Sequence, residues 1–268
     1  MSDTPPETRL PAMYLPHGGG PSFFMQGPRK QMYLEMELFL RGVLASLAHR
    51  PRAILVVTAH WEAPVATFAS NPSPELIYDY YGFPEETYQL RYPAPGAPAL
   101  ALEAAALLHH AGIPARVDPD YGWDHGVFVP LKVMVPEADI PILAMSLQAS
   151  LEPRLHYAMG RALQPLRDQG VLIVGSGMSF HNLRNFAAGG PDAARFDAWL
   201  DQALAGNHAH RESQLAAWQH APSGRAAHPR EEHLIPLMVA AGAGSEHAAR
   251  KLWSGLVGPA RNSGWAFD

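Results

Sequence analysis

Five histidines stand where the chain leaves an apolar run or enters a glycine-punctuated turn: His17 in LPHGGGP, His60 in VVTAHW, His125 in YGWDHGVFVPL, His181 in SGMSFHNLR and His233 in EEHLIPLMVAAGA. Neutral imidazole is a preferred nitrogen ligand for first-row metals, and it is also the side chain that most readily exchanges protons near neutral pH. A cluster of them can hold a metal, move protons, or do both. The chain carries 14 histidines in 268 residues, yet any one of them reads as readily as a structural residue, and HGGG as a tight turn. Joint placement is what favours chemistry. In open α/β sheets, ligands gather beyond the carboxyl ends of the strands, so residues leaving several strands converge although they are distant in sequence.

The rest of the composition narrows the chemistry. With no cysteine, disulfides, thiolate nucleophiles, cysteine-ligated zinc and ordinary iron–sulfur clusters are excluded, and any metal must be held by nitrogen or oxygen. Neither HExxH nor an EF-hand loop occurs. In GSGMS, residues 175–179, Ser176 and Ser179 are misplaced for the GxSxG elbow of a serine hydrolase, and the lone GSG is weak support for a dinucleotide site. Lys and Arg number 20 against 25 Asp and Glu, a net charge of −5 that argues against a nucleic-acid surface. No apolar stretch is long enough to span a membrane, and MSDTPPETRLPAMYL lacks the pattern of a signal peptide, so the expected compartment is the cytoplasm.

The elements that would position the histidines alternate. Strands are predicted at 12–15, 53–58, 65–69, 113–117, 140–146 and 171–175, and helices at 28–48, 98–111, 153–168, 192–205 and 231–243. His233 would open the last helix, with Glu231 and Glu232 in its first turn, where the helix dipole favours acids. Residues 70–98, rich in proline and tyrosine, read as a long ordered excursion, and Tyr78, Tyr80, Tyr81, Phe83, Tyr88 and Tyr92 either wall a pocket or pack against one another. Residues 118–131 read as a glycine-punctuated connection carrying His125, residues 206–228 as weakly patterned, and residues 265–268 as an edge strand or tail. This alternation predicts an α/β fold: a single catalytic domain over 1–268, a loose segment at 1–11, and a largely parallel or mixed central sheet flanked by helices.

The five histidine segments, in this order and together with YDYYGFPEETYQLRYPAPG at 78–96, resemble the class III extradiol ring-cleavage dioxygenases, nearest the branch of 4,5-DOPA dioxygenase extradiol-like proteins. The resemblance runs from about residue 12 to residue 267. It implies a non-haem Fe(II) centre, one per subunit, with Zn(II) found in some members, and ring opening of a small catecholic substrate with O₂. By motif position it implies His17, His60 and His233 as metal ligands. His181 would be the acid/base residue, close enough to the metal to serve as a fourth ligand, and His125 a pocket hydrogen-bond donor or secondary proton carrier. Better-known branches carry a glutamate where His233 stands; three imidazoles leave the site one negative charge poorer and favour an anionic catecholate. Two other classes fit three histidines: a zinc-dependent hydrolase with His181 as base, and a nonenzymatic metal-binding protein on the same scaffold. No partner beyond O₂ and the substrate is implied, neither nucleic acid nor membrane, and the sequence does not separate a monomer from a dimer.

Overall fold

In the computed structural model, which describes residues 9–268, the apolar runs pair into one eight-stranded sheet. Its strands are β1 (Ala12–Pro16), β2 (Ala53–Ala63), β3 (Ala66–Ala69), β4 (Ala115–Asp118), β5 (Ile142–Gln148), β6 (Val171–Gly177), β7 (Arg250–Val257) and β8 (Ala260–Phe267), in the spatial order β4-β3-β5-β2-β6-β1-β8-β7. The four central strands β5, β2, β6 and β1 are parallel, whereas β3 and β8 join them antiparallel, so the sheet is mixed.

Successive strand residues face opposite sides of the sheet, and both sides are buried. Leu55 and Val57 join a core covered by the helices Pro98–His110, Pro153–Leu163, Gly190–Leu204 and Ile235–Ala243. Ile54 and Val56 join a second core under Leu34–Gly42 and His125–Met134. This double burial is why AILVVT reads as an unbroken apolar run. No helix among the described residues is long and apolar enough to cross a membrane.

Several expected elements come out differently. The helix predicted over 28–48 is broken into Pro28–Met32 and Leu34–Gly42, because Tyr33 leaves helical geometry at φ −105° and ψ 5°. The weakly patterned 206–228 segment contains the helix His208–Ala216, started by Asn207, whose side chain accepts from the His210 amide. The final residues are neither edge nor tail: β8 lies between β1 and β7, and the β7–β8 hairpin turns at Gly258, φ 56°. Of the segment expected to be loose, residues 1–8 lie outside the described residues, and Leu10 is buried with its amide donating to the Arg167 carbonyl.

The helix that follows His233 is held by unusually close backbone contact with its neighbour. A Cβ on Gly160 would lie 2.1 Å from the Val239 carbonyl oxygen, and one on Gly242 would lie 2.1 Å from that of Tyr157. Gly242→Ala is therefore expected to push Pro153–Leu163 and Ile235–Ala243 apart and to cost about 2–3 kcal/mol, read as a lowered Tm. An unchanged Tm would show that the two helices separate freely.

Candidate metal centre

His17, His60 and His181 come from the three adjacent parallel strands β1, β2 and β6 at their carboxyl ends, which is where the topology gathers ligands. His17 directly follows β1, and its amide donates to the Gly177 carbonyl of β6 at 3.2 Å. The turn after it needs glycine: Gly18 and Gly20 have φ of 85° and 57°. His60 lies inside β2 rather than beyond a strand ending at residue 58. There β2 advances from Val57 to Glu62 while β5 advances only from Met145 to Leu147, so His60 falls within a bulge-like irregularity of the ladder.

His125 is not in an irregular connection but is the first residue of the helix His125–Met134, capped by Asp124, whose carboxylate accepts from the Gly126 amide at 2.8 Å. Asp124 also accepts from the Thr58 hydroxyl at 2.7 Å, and Thr58 accepts from the His60 amide at 3.2 Å. The cap thereby ties the end of β2 to the start of the helix, and the His60 and His125 ring centroids lie 3.8 Å apart. Burial, and then the neighbouring Asp79 charge, push the Asp124 carboxyl up to about 6.

His233 does not open a helix. It sits in the turn before Ile235–Ala243, with its carbonyl held by the Tyr14 hydroxyl at 2.7 Å and the Met178 amide at 3.1 Å. Glu231 and Glu232 consequently lie outside the helix's first turn. Glu232 faces the imidazoles: its Oε1 is 2.9 Å from His233 Nδ1 and 3.3 Å from His181 Nδ1. Burial would raise the Glu232 carboxyl, but the hydrogen bonds from the two imidazoles outweigh it and keep the group ionised. Its Oε2 lies 3.5 Å from Arg230, which also forks onto Glu62 at 2.6 and 2.7 Å.

All five histidines line one cavity of about 320 Å³, and each has its Nδ1 beside an oxygen behind it. Asp79 lies 2.9 Å from His125 Nδ1 and 3.4 Å from His60 Nδ1, and Glu232 serves His233 and His181. Ser176 lies 3.1 Å from His17 Nδ1 and donates its own hydroxyl proton to the Gly126 carbonyl, so it accepts from the imidazole. Because carboxylates only accept, this arrangement assigns the proton to Nδ1 and leaves the Nε2 lone pairs free.

Burial, and then mutual repulsion among the imidazoles, hold His17 and His60 well below the ordinary histidine range, and His233 is lowered to about 3. All three are therefore neutral at pH 7, the form that binds metals. His17 Nε2 and His60 Nε2 are 3.2 Å apart, and ligand atoms of His17, His60 and His233 lie within 4.8 Å of one another. Two nitrogens each about 2.1 Å from one ion at a right angle would stand about 3.0 Å apart, so the donor set fits a transition metal. Two further groups, His60 with Asp79 and His125, and His181 with Glu232 and His233, meet the same distance limit.

Sequence reasoning left Asp79 unremarked, assigned Glu232 to a helix start and weighed Ser176 only as a hydrolase nucleophile. Asp79 had a weak signal, a single acid within an aromatic run, and its carboxylate also accepts from the His125 amide at 2.8 Å. Asp79→Asn should keep the volume and lose the acceptor strength, lowering affinity for a divalent ion about 10- to 100-fold with the fold intact. Metal titration beside circular dichroism checks this, and unchanged affinity would remove Asp79 from the metal's support. The aromatic excursion divides: Tyr80, Tyr81 and Phe83 line the cavity, whereas the Tyr78 and Tyr92 hydroxyls donate to the Leu90 and Val135 carbonyls at 2.6 and 3.1 Å. Trp61 stacks on Tyr121 at 3.6 Å, and Trp123 is fully buried. His228, also buried, bonds through Nε2 to the Ser179 carbonyl at 3.0 Å.

Residues 11–259 match the family model for the catalytic LigB subunit of aromatic ring-opening dioxygenase. The chain is 42% identical over 254 residues to the dioxygenase tasH of Hapsidospora irregularis, covering 88% of this chain and 78% of that one. It is 39% identical over 243 residues to a 4,5-DOPA dioxygenase extradiol of Portulaca grandiflora, covering 86% and 89%. A solved structure of an uncharacterized Escherichia coli K12 protein superposes with a TM-score of 0.76 at 29% identity, over 97% of this chain and 100% of that one.

Proposed function

Because this chain belongs to the class III extradiol ring-cleavage dioxygenases, an aromatic ring-opening enzyme family, we propose that it cleaves an ortho-diphenol with O₂ at a non-haem Fe(II) centre. The bond broken lies beside, not between, the hydroxyl-bearing carbons, and both oxygen atoms enter a product of the hydroxy-muconic semialdehyde type. The observation that carries this reading is the set of three neutral imidazoles, the buried His17 and His233 and the half-buried His60, with their Nδ1 atoms tied back. They would hold the ion on one face, and Fe(II) held there would supply Lewis acidity toward the two hydroxyls and an electronic path between ring and O₂.

The chain's own residues handle orientation and protons. His181, with Nδ1 turned toward Glu232, keeps an Nε2 lone pair that takes the proton of the second hydroxyl and later returns it. His125, bonded to Asp79, serves as a second proton carrier whose protonated ring donates into the cavity. Met178, Phe180, Phe83 and Phe186 provide the flat apolar walls that a ring needs, and they keep water from the bonds being rearranged. The enzyme acts in the cytoplasm on a small soluble catechol.

The test is anaerobic Fe(II) reconstitution followed by O₂ exposure with a panel of ortho-diphenols. Equimolar loss of O₂ and catechol, with a semialdehyde chromophore appearing, is expected. No O₂ uptake with any member, or equal turnover by protein loaded with Zn(II) alone, would overturn the reading.

A further inference from the structure

Among the described residues lining the histidine cavity, one is a permanent cation, Arg29, and none is an acid. Its Nε donates to the Ser22 hydroxyl at 3.1 Å, and its guanidinium carbon sits 4.7 Å above the centre of the Phe83 ring. These contacts fix the plane of the guanidinium but use neither terminal nitrogen. The next residue, Lys30, is neutralised by Glu37 at 3.0 Å, whereas Arg29 forms no ion pair among the described residues. A fixed guanidinium with both terminal nitrogens free is a ready-made fork for a carboxylate.

Its position relative to the metal centre follows from the glycine loop. A Cβ on Gly19 would lie 2.3 Å from the Tyr33 hydroxyl and 3.6 Å from Arg29 Nη2, so these groups form one polar corner against Gly19. Gly19 follows His17 by two residues, which places their Cα atoms at most about 7 Å apart. The corner is thus within reach of a short substituent on a ring held at His17. Burial raises the Tyr33 hydroxyl above its ordinary range, against a smaller opposing effect of Arg29, so it remains a donor. Two other polar side chains lining the cavity are already engaged: Tyr80 donates to the Thr87 carbonyl at 2.7 Å, and the Asn182 amide donates to the Ala226 carbonyl at 2.8 Å, while Tyr81 is almost fully exposed.

We propose that Arg29, with Tyr33 beside it, is a specificity-determining residue that selects catechols bearing a carboxylate on a short side chain. This rests on the ring-opening reading above and adds the class of substituent. Gly19 is required to be small because any side chain there would displace Tyr33 from the corner.

The test compares three probes of similar size: dihydrocaffeic acid, ethylcatechol and dopamine, which present a carboxylate, no charge and an ammonium. Dissociation constants are measured anaerobically on Fe(II)-loaded protein, and kcat/KM is measured in air. The wild type should prefer dihydrocaffeic acid to ethylcatechol by about 10- to 30-fold, the range for a charge-assisted contact partly open to solvent, and bind dopamine least. In R29Q the ratio of the two dissociation constants should fall close to one, and R29K should restore part of it. The ratio is the readout because general damage to the cavity weakens both probes together. An unchanged ratio in R29Q, or equal affinity of the wild type for the first two probes, overturns the role of Arg29 while the ring-opening reading stands. Failure to bind or cleave any of the three overturns both.

Discussion

Alanine in place of His17 is expected to leave the Fe(II)-reconstituted protein with less than about a tenth of its iron and to lower ring-opening turnover at least about 10³-fold. His17 is the most buried of the three candidate donors, 1% exposed, and its ring lies 4.9 Å from His60 and 5.1 Å from His233, centre to centre. Removing it takes away the contact at 3.2 Å to His60 Nε2 and leaves the Ser176 hydroxyl without its imidazole donor. The loss should fall on the metal rather than the fold, because β1 is held by backbone pairing to β6 and β8. Iron analysis and thermal melting on one preparation check this. Full iron occupancy in H17A would remove His17 from the ligand set.

The second large effect is expected from H181F: iron retained, catechol still bound under nitrogen, and turnover lowered about 10² to 10⁴-fold, or roughly 3–5.5 kcal/mol of transition-state stabilisation. The His181 ring stacks on His233 with centres 3.3 Å apart and planes 18° apart, so phenylalanine can keep the stacked surface while removing both nitrogens. Glu232 retains its hydrogen bond from His233 at 2.9 Å, which keeps that imidazole oriented. Iron content, anaerobic affinity and O₂ uptake must be read together. Wild-type uptake would exclude His181 as the principal proton carrier, and iron loss with the fold intact would make it a ligand.

The convergence of the five histidines on one cavity was legible in the sequence, and physical reasons explain why. The turn HGGGP needs positive φ, and strands buried on both sides are continuous apolar runs, so the exits carrying His17 and His181 stand out. The motif resemblance extended this to the order of the segments. Asp79 and Glu232 were not legible, because a carboxylate near an imidazole carries no local periodicity and a helix-start role was the favoured explanation of Glu232. That explanation failed because the helix begins at Ile235. His125 was misplaced for a similar reason: its glycine neighbours suggested a loop, whereas Asp124 caps a helix that tolerates Pro130. The β7–β8 hairpin was missed because RKLWSGLV and ARNSGWAF lack the branched apolar runs of the central strands: β7 is a half-exposed edge, and β8, although almost wholly buried, is built largely of small and polar residues.

The pairing of β8 with β1 and the lateness of His233 together bear on how the enzyme is made. A chain emerging from the ribosome presents His17, His60 and His125 early, but the third imidazole of the candidate set and its carboxylate arrive only with residues 232 and 233, and the strand that flanks β1 later still. A nascent chain or an amino-terminal fragment therefore offers an ion two of the three nitrogens and an open sheet edge. Assembly of the complete candidate centre therefore waits for residues 232 and 233 and the strands after them, so on the reading proposed above an ion finds its full donor set only once that part of the chain has been made.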